Sequence, residues 1–234
     1  MNPMLKTLVS GAAIALASLP ALAQTVGPQG ETATPTSAIV VPEASAGAVR
    51  AGGYTAALLW HDQSDFVNAV SAGATAEFAR FGIEVVATTS AAFDAAQQRS
   101  DIETALAKSP SIILSLPLDP VTSAAAFAEA RDMGVKLVFL SNLPAGYTHP
   151  DDYAAIVTDD LFQMGKQAAD ALAASMGGEG TVGWIYHDAE YYVTNQRDNA
   201  FRTTIENDYP NMTIVAEQGI SDPARAEEIM EELR

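Results

Sequence analysis

The 234-residue sequence contains no cysteine. Disulfides, thiolate metal sites, cysteine nucleophiles and a lipid anchor on a processed N-terminal cysteine are therefore all excluded. Aromatic residues supply only 7% of the chain although 48% is hydrophobic, so the core must be built largely from alanine and aliphatic side chains. Positive charge is scarce as well: 12 Lys and Arg stand against 29 Asp and Glu, a formal charge of −17. That field repels phosphate backbones and anionic lipid, which argues against nucleic-acid and peripheral-membrane partners. No G-x-S-x-G elbow, H-E-x-x-H pair or P-loop occurs, so nucleophilic and metalloprotease chemistry find no motif to rest on.

What is there begins with an export layout. Lys6 precedes an apolar segment from about Leu8 to Leu19, followed by Ala21-Leu22-Ala23. This is the pattern of a secretory signal peptide cleaved before Gln24. The apolar segment is shorter than the ~20 residues of a membrane span. A periplasmic location and a signal peptide over residues 1–23 are the expectation. Residues 24–53 are rich in Pro, Thr, Ser, Ala and Gly without sustained periodicity, and read as a flexible leader.

From Tyr54 onward short apolar runs alternate with segments of helical period, the signature of βα units and a parallel sheet. Strands are expected at 54–60, 83–88, 111–116, 135–140, 153–158, 181–187 and 212–218. Helices are expected near 65–81, 92–107, 120–133, 160–176, 194–208 and 223–233. Val67, Val70, Ala74, Phe78 and Phe81 recur at three- and four-residue spacing and define the core stripe of the first of these helices. Asp119-Pro120 and Asp222-Pro223 pair a capping aspartate with a proline at the first helical position.

In open parallel sheets ligands sit beyond the carboxyl ends of the strands. That rule gives meaning to "WHDQSDF" (60–66), to "SNLPAGY" (141–147) and to "YHDAEYY" (186–192), polar or aromatic stretches that each follow an apolar run. Trp60, Phe66, Tyr191 and Tyr192 with Gln63, Asn142, Arg197 and Asn199 suit a polyhydroxylated ligand, whose C–H faces stack on rings while its hydroxyls take hydrogen bonds. Each ring taken alone fits core packing as well as a cleft; the case rests on their clustering at strand ends. His61-Asp62 and His187-Asp188 offer two imidazoles and two carboxylates to a metal, but neither pair has ligand spacing on a helix, and rim hydrogen bonding or plain solvation is the preferred reading. "GEGTVG" (178–183) matches G-x-G-x-x-G yet precedes a strand instead of opening a helix, so it cradles no phosphate. The carboxylate pairs Asp151-Asp152 and Asp159-Asp160 read as turns or caps.

These residues carry a resemblance. The stretch from "AALLWHDQSDF" through "FGIEVVAT" resembles the opening of the periplasmic solute-binding proteins of ABC importers, of the ribose and galactose type. "PSIILSLPLDPVTSAAAFAEARDMGVKLVFLSN", "IVTDDLFQMGKQAADAL" and "TNQRDNAF" are similar to later segments of that family in the same order. The resemblance covers roughly residues 54–234. It implies a two-lobe type I periplasmic-binding-protein fold, α/β with parallel sheets flanked by helices, the first lobe over 54–158 and the second over 159–234. It implies ligand contacts at Gln63, Ser64 and Phe66, at Ser141 and Asn142, at Arg197 and at Ser221, and a hinge near Thr158 and Asp159. Trp60, His61, Asp188 and Tyr191 complete the expected rim. Ser141-Asn142 stands where ribose-type members commonly have Asp-Arg, which removes a charge-assisted clamp and points away from ribose; the rim residues Trp60, His61 and Asp188 point to another pentose, a polyol or a cyclitol. The chain ends at "EEIMEELR", inside what the resemblance makes a second-lobe helix, so a truncated gene or fragment with an incomplete second lobe is expected.

The expected function is capture of a carbohydrate-like solute for ABC import, without catalysis, cofactor or metal. The expected partners are that solute and the permease's transmembrane subunits, with a monomeric chain. A sensory protein presenting its ligand to a chemoreceptor or histidine kinase is the alternative. A metal-dependent periplasmic enzyme built on His61, Asp62, His187 and Asp188 is a weaker one. A repressor of the same architecture is disfavoured by the export signal and the negative charge.

Overall fold

A computed structural model describes residues 24–188, 191–221 and 223–232. The expected signal peptide, residues 1–23, and Asp222 of the last expected cap lie outside the described residues.

Among the described residues seven strands form two parallel sheets. β1 (Thr55–Trp60), β2 (Glu84–Ser90), β3 (Ile112–Ser115), β4 (Lys136–Leu140) and β5 (Ala155–Val157) make one sheet in the order β2-β1-β3-β4-β5. β6 (Gly180–His187) and β7 (Met212–Ile220) pair as a second, two-stranded sheet. The helices are α1 (Glu43–Ala51), α2 (Asp65–Arg80), α3 (Ala95–Leu106), α4 (Pro120–Asp132), α5 (Leu161–Met176), α6 (Tyr192–Asp208) and α7 (Ala226–Glu232). A 3₁₀ turn at Pro223–Arg225 leads into α7.

Local chemistry explains the starts of these helices. Ser64, Asp94, Asp119 and Asp160 each accept a backbone N–H from the first turn that follows them, satisfying donors the helix itself cannot pair. Pro120 sits at the first position of α4, where its missing N–H costs nothing. In β1 the five residues Ala56–Trp60 are all buried, as a central strand covered on both faces requires. One face packs Ala57 and Leu59 against Ile102, Ile113, Phe127 and Phe139. The other packs Leu58 and Trp60 against Val67 and the stripe of α2 that includes Val70, Ala74 and Phe78. The second sheet is covered by α5 and α6, which meet around Ala169, Ala173 and Ile205. Gly165 lies at a close approach of the two helices: a Cβ there would clash with the Arg197 carbonyl oxygen and sit 2.8 Å from Ala200 Cβ.

Residues 24–53, read from composition as a flexible leader, carry structure. Helix α1 buries Ala46 against Ala56, Phe81 and Ile83. Upstream, Val26 and Thr32 form an antiparallel bridge. The tip of this segment ties the two sheets together. Thr25 Oγ1 donates to Asp160 Oδ1 at 2.7 Å and accepts from Phe162 N–H, and Gln196 exchanges two hydrogen bonds with the Val26 backbone. On the other side Gln29 Nε2 donates to the Tyr147 carbonyl. Composition missed this because the anchoring is tertiary: the partners of Thr25, Val26 and Gln29 lie more than a hundred residues away.

Candidate functional site

Each parallel strand delivers a loop at its carboxyl end, and those loops meet in one cleft of about 590 Å³ between the two sheets. His61 follows β1, Phe93 follows β2, Leu116, Pro117 and Leu118 follow β3, and Ser141 and Asn142 follow β4. Asp159 follows β5; from the second sheet come His187 and Ser221, with Tyr191, Thr194 and Arg197 from the start of α6. The size falls within the usual ~300–1,000 Å³ of small-molecule sites.

The first-sheet wall is held by side chains behind it. Gln98, buried in α3, donates its Nε2 to the Leu116 carbonyl at 2.8 Å and accepts from Leu118 N–H at 3.0 Å. Asn142 Nδ2 donates to the Pro117 carbonyl at 3.1 Å, leaving its buried Oδ1 without a partner. Ser141 adopts a left-handed backbone, φ 62°, and its N–H still bonds the Val157 carbonyl. The two walls touch where the Tyr191 hydroxyl donates to the Leu118 carbonyl.

Electrostatically the cleft is mixed and weakly charged. Burial pushes the His61 imidazole below its ordinary value of 6.5, against a smaller opposing pull from Asp62, so it is neutral at pH 7. Its Nδ1 is buried with no partner. Arg197 spans 3.4 Å to Asp198 Oδ1 on its own helix, which leaves part of its donor fork for a ligand. His187 stacks on Tyr191, ring centroids 5.8 Å apart and 27° between planes. Burial also raises the Tyr191 phenol, which remains a hydroxyl donor; Tyr192, pushed up to about 12 by burial, lines a neighbouring groove and not the cleft.

The structure thus brings together His61, Ser141, Asn142, Asp159, Tyr191, Arg197 and Ser221. Trp60 is a correction. It is 2% exposed, packs with Leu58, Val67, Leu116 and Leu140, and donates Nε1–H to Ser71 Oγ at 3.3 Å. Strand alternation puts it on the face of Leu58, toward α2 and away from the cleft. Gln63, Ser64 and Phe66 do not line the cleft either: Ser64 caps α2, and Phe66 is 47% exposed on the first turn. Asp188 is exposed beside Gly219 and bonds the Ile220 carbonyl through its N–H. Thr158 lines a neighbouring groove with Thr25, Val26 and Tyr192 instead.

The family model described as periplasmic binding protein domain matches residues 56–234. The chain belongs to that family. Its members are periplasmic solute-binding proteins. Among solved structures, the chain is similar to the sugar-binding protein of a sugar ABC transporter from Bacillus halodurans, with 21% identity, 78% of this chain and 61% of that one covered, and a TM-score of 0.65. It is similar to an ABC transporter solute-binding protein from Agrobacterium vitis bound with alpha-D-tagatopyranose, with 22% identity, 77% and 63% covered, and a TM-score of 0.65. A Mycobacterium smegmatis solute-binding protein with bound glycerol matches at 25% identity, 78% and 62% covered, TM-score 0.64. The chain spans about 61% of the length of the first of these neighbours. No curated protein sequence matches it.

Against this periplasmic-binding-protein frame the two-lobe α/β expectation holds, with the second lobe partial. Among the described residues no helix is long and apolar enough to cross a membrane. Nor do three or more His, Asp or Glu side chains among them gather as a metal site, so His61-Asp62 and His187-Asp188 form no joint cluster. The sequence reading missed Phe93, Leu116 to Leu118, Leu161, Met164, Val193 and Thr194 as cleft residues. The first four were within reach, because the strand-end rule applies to β2 and β3 as much as to β1.

Proposed function

We propose that this protein captures a neutral, carbohydrate-like solute between two lobes, divided near Thr158 and Asp159, and delivers it to the transmembrane subunits of an ABC importer after export to the periplasm. The observation that carries this reading is the convergence of side chains from both sheets on one cleft. Asn142 and His61 from the first sheet, and Arg197, His187 and Tyr191 from the second, offer it hydrogen-bonding groups. A ligand touching both walls favours the conformation in which they are close, which is how lobe closure is coupled to capture. Neutral His61 and a partly paired Arg197 favour hydroxyls over a charged group. The bound sugar and polyol in the Agrobacterium and Mycobacterium relatives point the same way. No covalent step is required of any residue in this reading.

The test is a thermal-shift screen against pentoses, hexoses, polyols, cyclitols and divalent metals. A ligand at a hundred times its dissociation constant adds about 2.7 kcal/mol, or roughly 5–10 °C for a chain of this size. A shift with a sugar or polyol, lost in Asn142→Ala and Arg197→Ala, is the expected result. A shift with metal alone, or none with any carbohydrate, overturns the reading.

A further inference from the structure

Phe93 is placed at a cost that its packing does not explain. It and Ala92 both adopt left-handed backbone, φ 61° and 49°, a region that achiral glycine enters freely and that L-residues other than Asn and Asp largely avoid. The ring gains little burial in return, since Phe93 remains 66% exposed. The loop is held from both sides. Ala91 N–H bonds the Trp60 carbonyl, Phe93 N–H bonds the His61 carbonyl at 2.8 Å, and Asp94 N–H closes the turn on the Ala91 carbonyl. Asp94 then caps α3 through Ala96 and Gln97 N–H. The outcome of this arrangement is a phenyl ring at the cleft, meeting the His61 imidazole edge to face at 5.4 Å and 80°. That same imidazole carries the unpartnered buried Nδ1. Strain that persists because its surroundings over-determine it is characteristic of ligand clamps.

We propose that Phe93 is a specificity-determining residue: its ring walls the first-lobe side of the cleft, fixes the His61 imidazole for a ligand hydroxyl, and limits the solute to one sugar ring. The inference rests on the solute-binding reading and deepens it. An apolar C–H face packs on the exposed ring while a hydroxyl meets His61 Nδ1. A second sugar unit would have to displace the phenyl.

The experiment uses the full chain with Phe93→Gly and Phe93→Tyr, titrated with L-arabinose, D-galactose and myo-inositol, and with maltose as the oversized probe. Glycine accepts the left-handed backbone freely, so deleting the ring relieves strain. The expected result is an unchanged or raised melting temperature in Phe93→Gly, together with a loss of roughly tenfold or more in affinity for the monocyclic ligand. Discrimination against maltose narrows in the same variant. Phe93→Tyr keeps the ring and is expected to retain more of the affinity and of the discrimination against maltose than Phe93→Gly. A lowered melting temperature in Phe93→Gly makes the ring structural and overturns the inference. So does unchanged affinity and selectivity in a protein whose wild type binds one of the probes, and in that case the solute-binding reading survives. If the wild type binds none of the four, the solute-binding reading for these ligands fails first, and the inference falls with it.

Discussion

The hydroxyl of Thr25 and the carboxylate of Asp160 meet at 2.7 Å, joining a segment near the start of the described chain to the residue that caps α5. Asp160 also accepts the Gln163 N–H that starts the helix, at 3.2 Å. Thr25 is 7% exposed, so Thr25→Val keeps its volume while removing a donor and an acceptor. A net loss of about 1 kcal/mol is expected, read as a melting temperature lower by roughly 2–4 °C. Removing residues 24–34 as a block, which also deletes the Val26–Gln196 and Gln29–Tyr147 bonds, is expected to cost more than the single substitution.

Gly165 permits the close crossing of α5 and α6. Gly165→Ala drives a methyl into the Arg197 carbonyl and Ala200, so overpacking of about 1–3 kcal/mol is expected. The displaced backbone is that of Arg197, which lines the cleft. Ligand affinity is therefore expected to fall together with stability, whereas Gly73→Ala, with open space around its Cβ position in α2, leaves affinity unchanged. Denaturant melts and ligand titrations on both variants check this.

Gln98 acts on the cleft from behind. Gln98→Leu keeps the bulk and leaves the Leu116 carbonyl and Leu118 N–H without their partner. Unsatisfied buried polar groups cost about 1–3 kcal/mol. Because those groups belong to the loop that meets Tyr191 and Asn142, affinity for the solute is expected to drop as well. Equal affinity in Gln98→Leu and wild type would mean the loop keeps its shape without this support.

His61 gives a pH dependence whose sign follows from burial. Its folded-state value lies below the ordinary 6.5, so between the two values the unfolded chain holds more protons. Stability from this group is therefore complete above pH 6.5 and is lost as pH falls through the folded value. Melting temperatures at pH 7.5 and 5.5 should show a decline that is smaller in His61→Gln.

Much of the architecture was legible because its signals are local. Aspartate before proline at 119–120 carries a helix-start signal within a few residues, and the stripe from Val67 to Phe78 presents one apolar face whatever it packs against. Seven apolar runs separated by helical segments dictated parallel strands, and the strand-end rule located Ser141 and Asn142 in the cleft, where Arg197 and Ser221, expected from the family resemblance, also lie. The same rule misplaced Trp60. The residue ends its strand at the ligand edge, but the direction of a side chain depends on which face of β1 meets α2, and alternation within a strand buried on both faces does not show in composition. The leader was misjudged for a related reason. Thr25, Val26 and Gln29 are unremarkable in sequence, and their hydrogen bonds reach residues more than a hundred positions away.

The sequence by itself determined the order of βα units, the starts of α2 and α4, the acidic character and the edge at which the strand-end loops gather, because each follows from spacing or composition within a few residues. Only the tertiary structure decided which rings face the cleft, that Phe93 is turned into it at the cost of a left-handed backbone, and that the leader straps one sheet to the other. These depend on contacts between segments distant in the chain, where the energy of packing and of buried hydrogen bonds outweighs local preference.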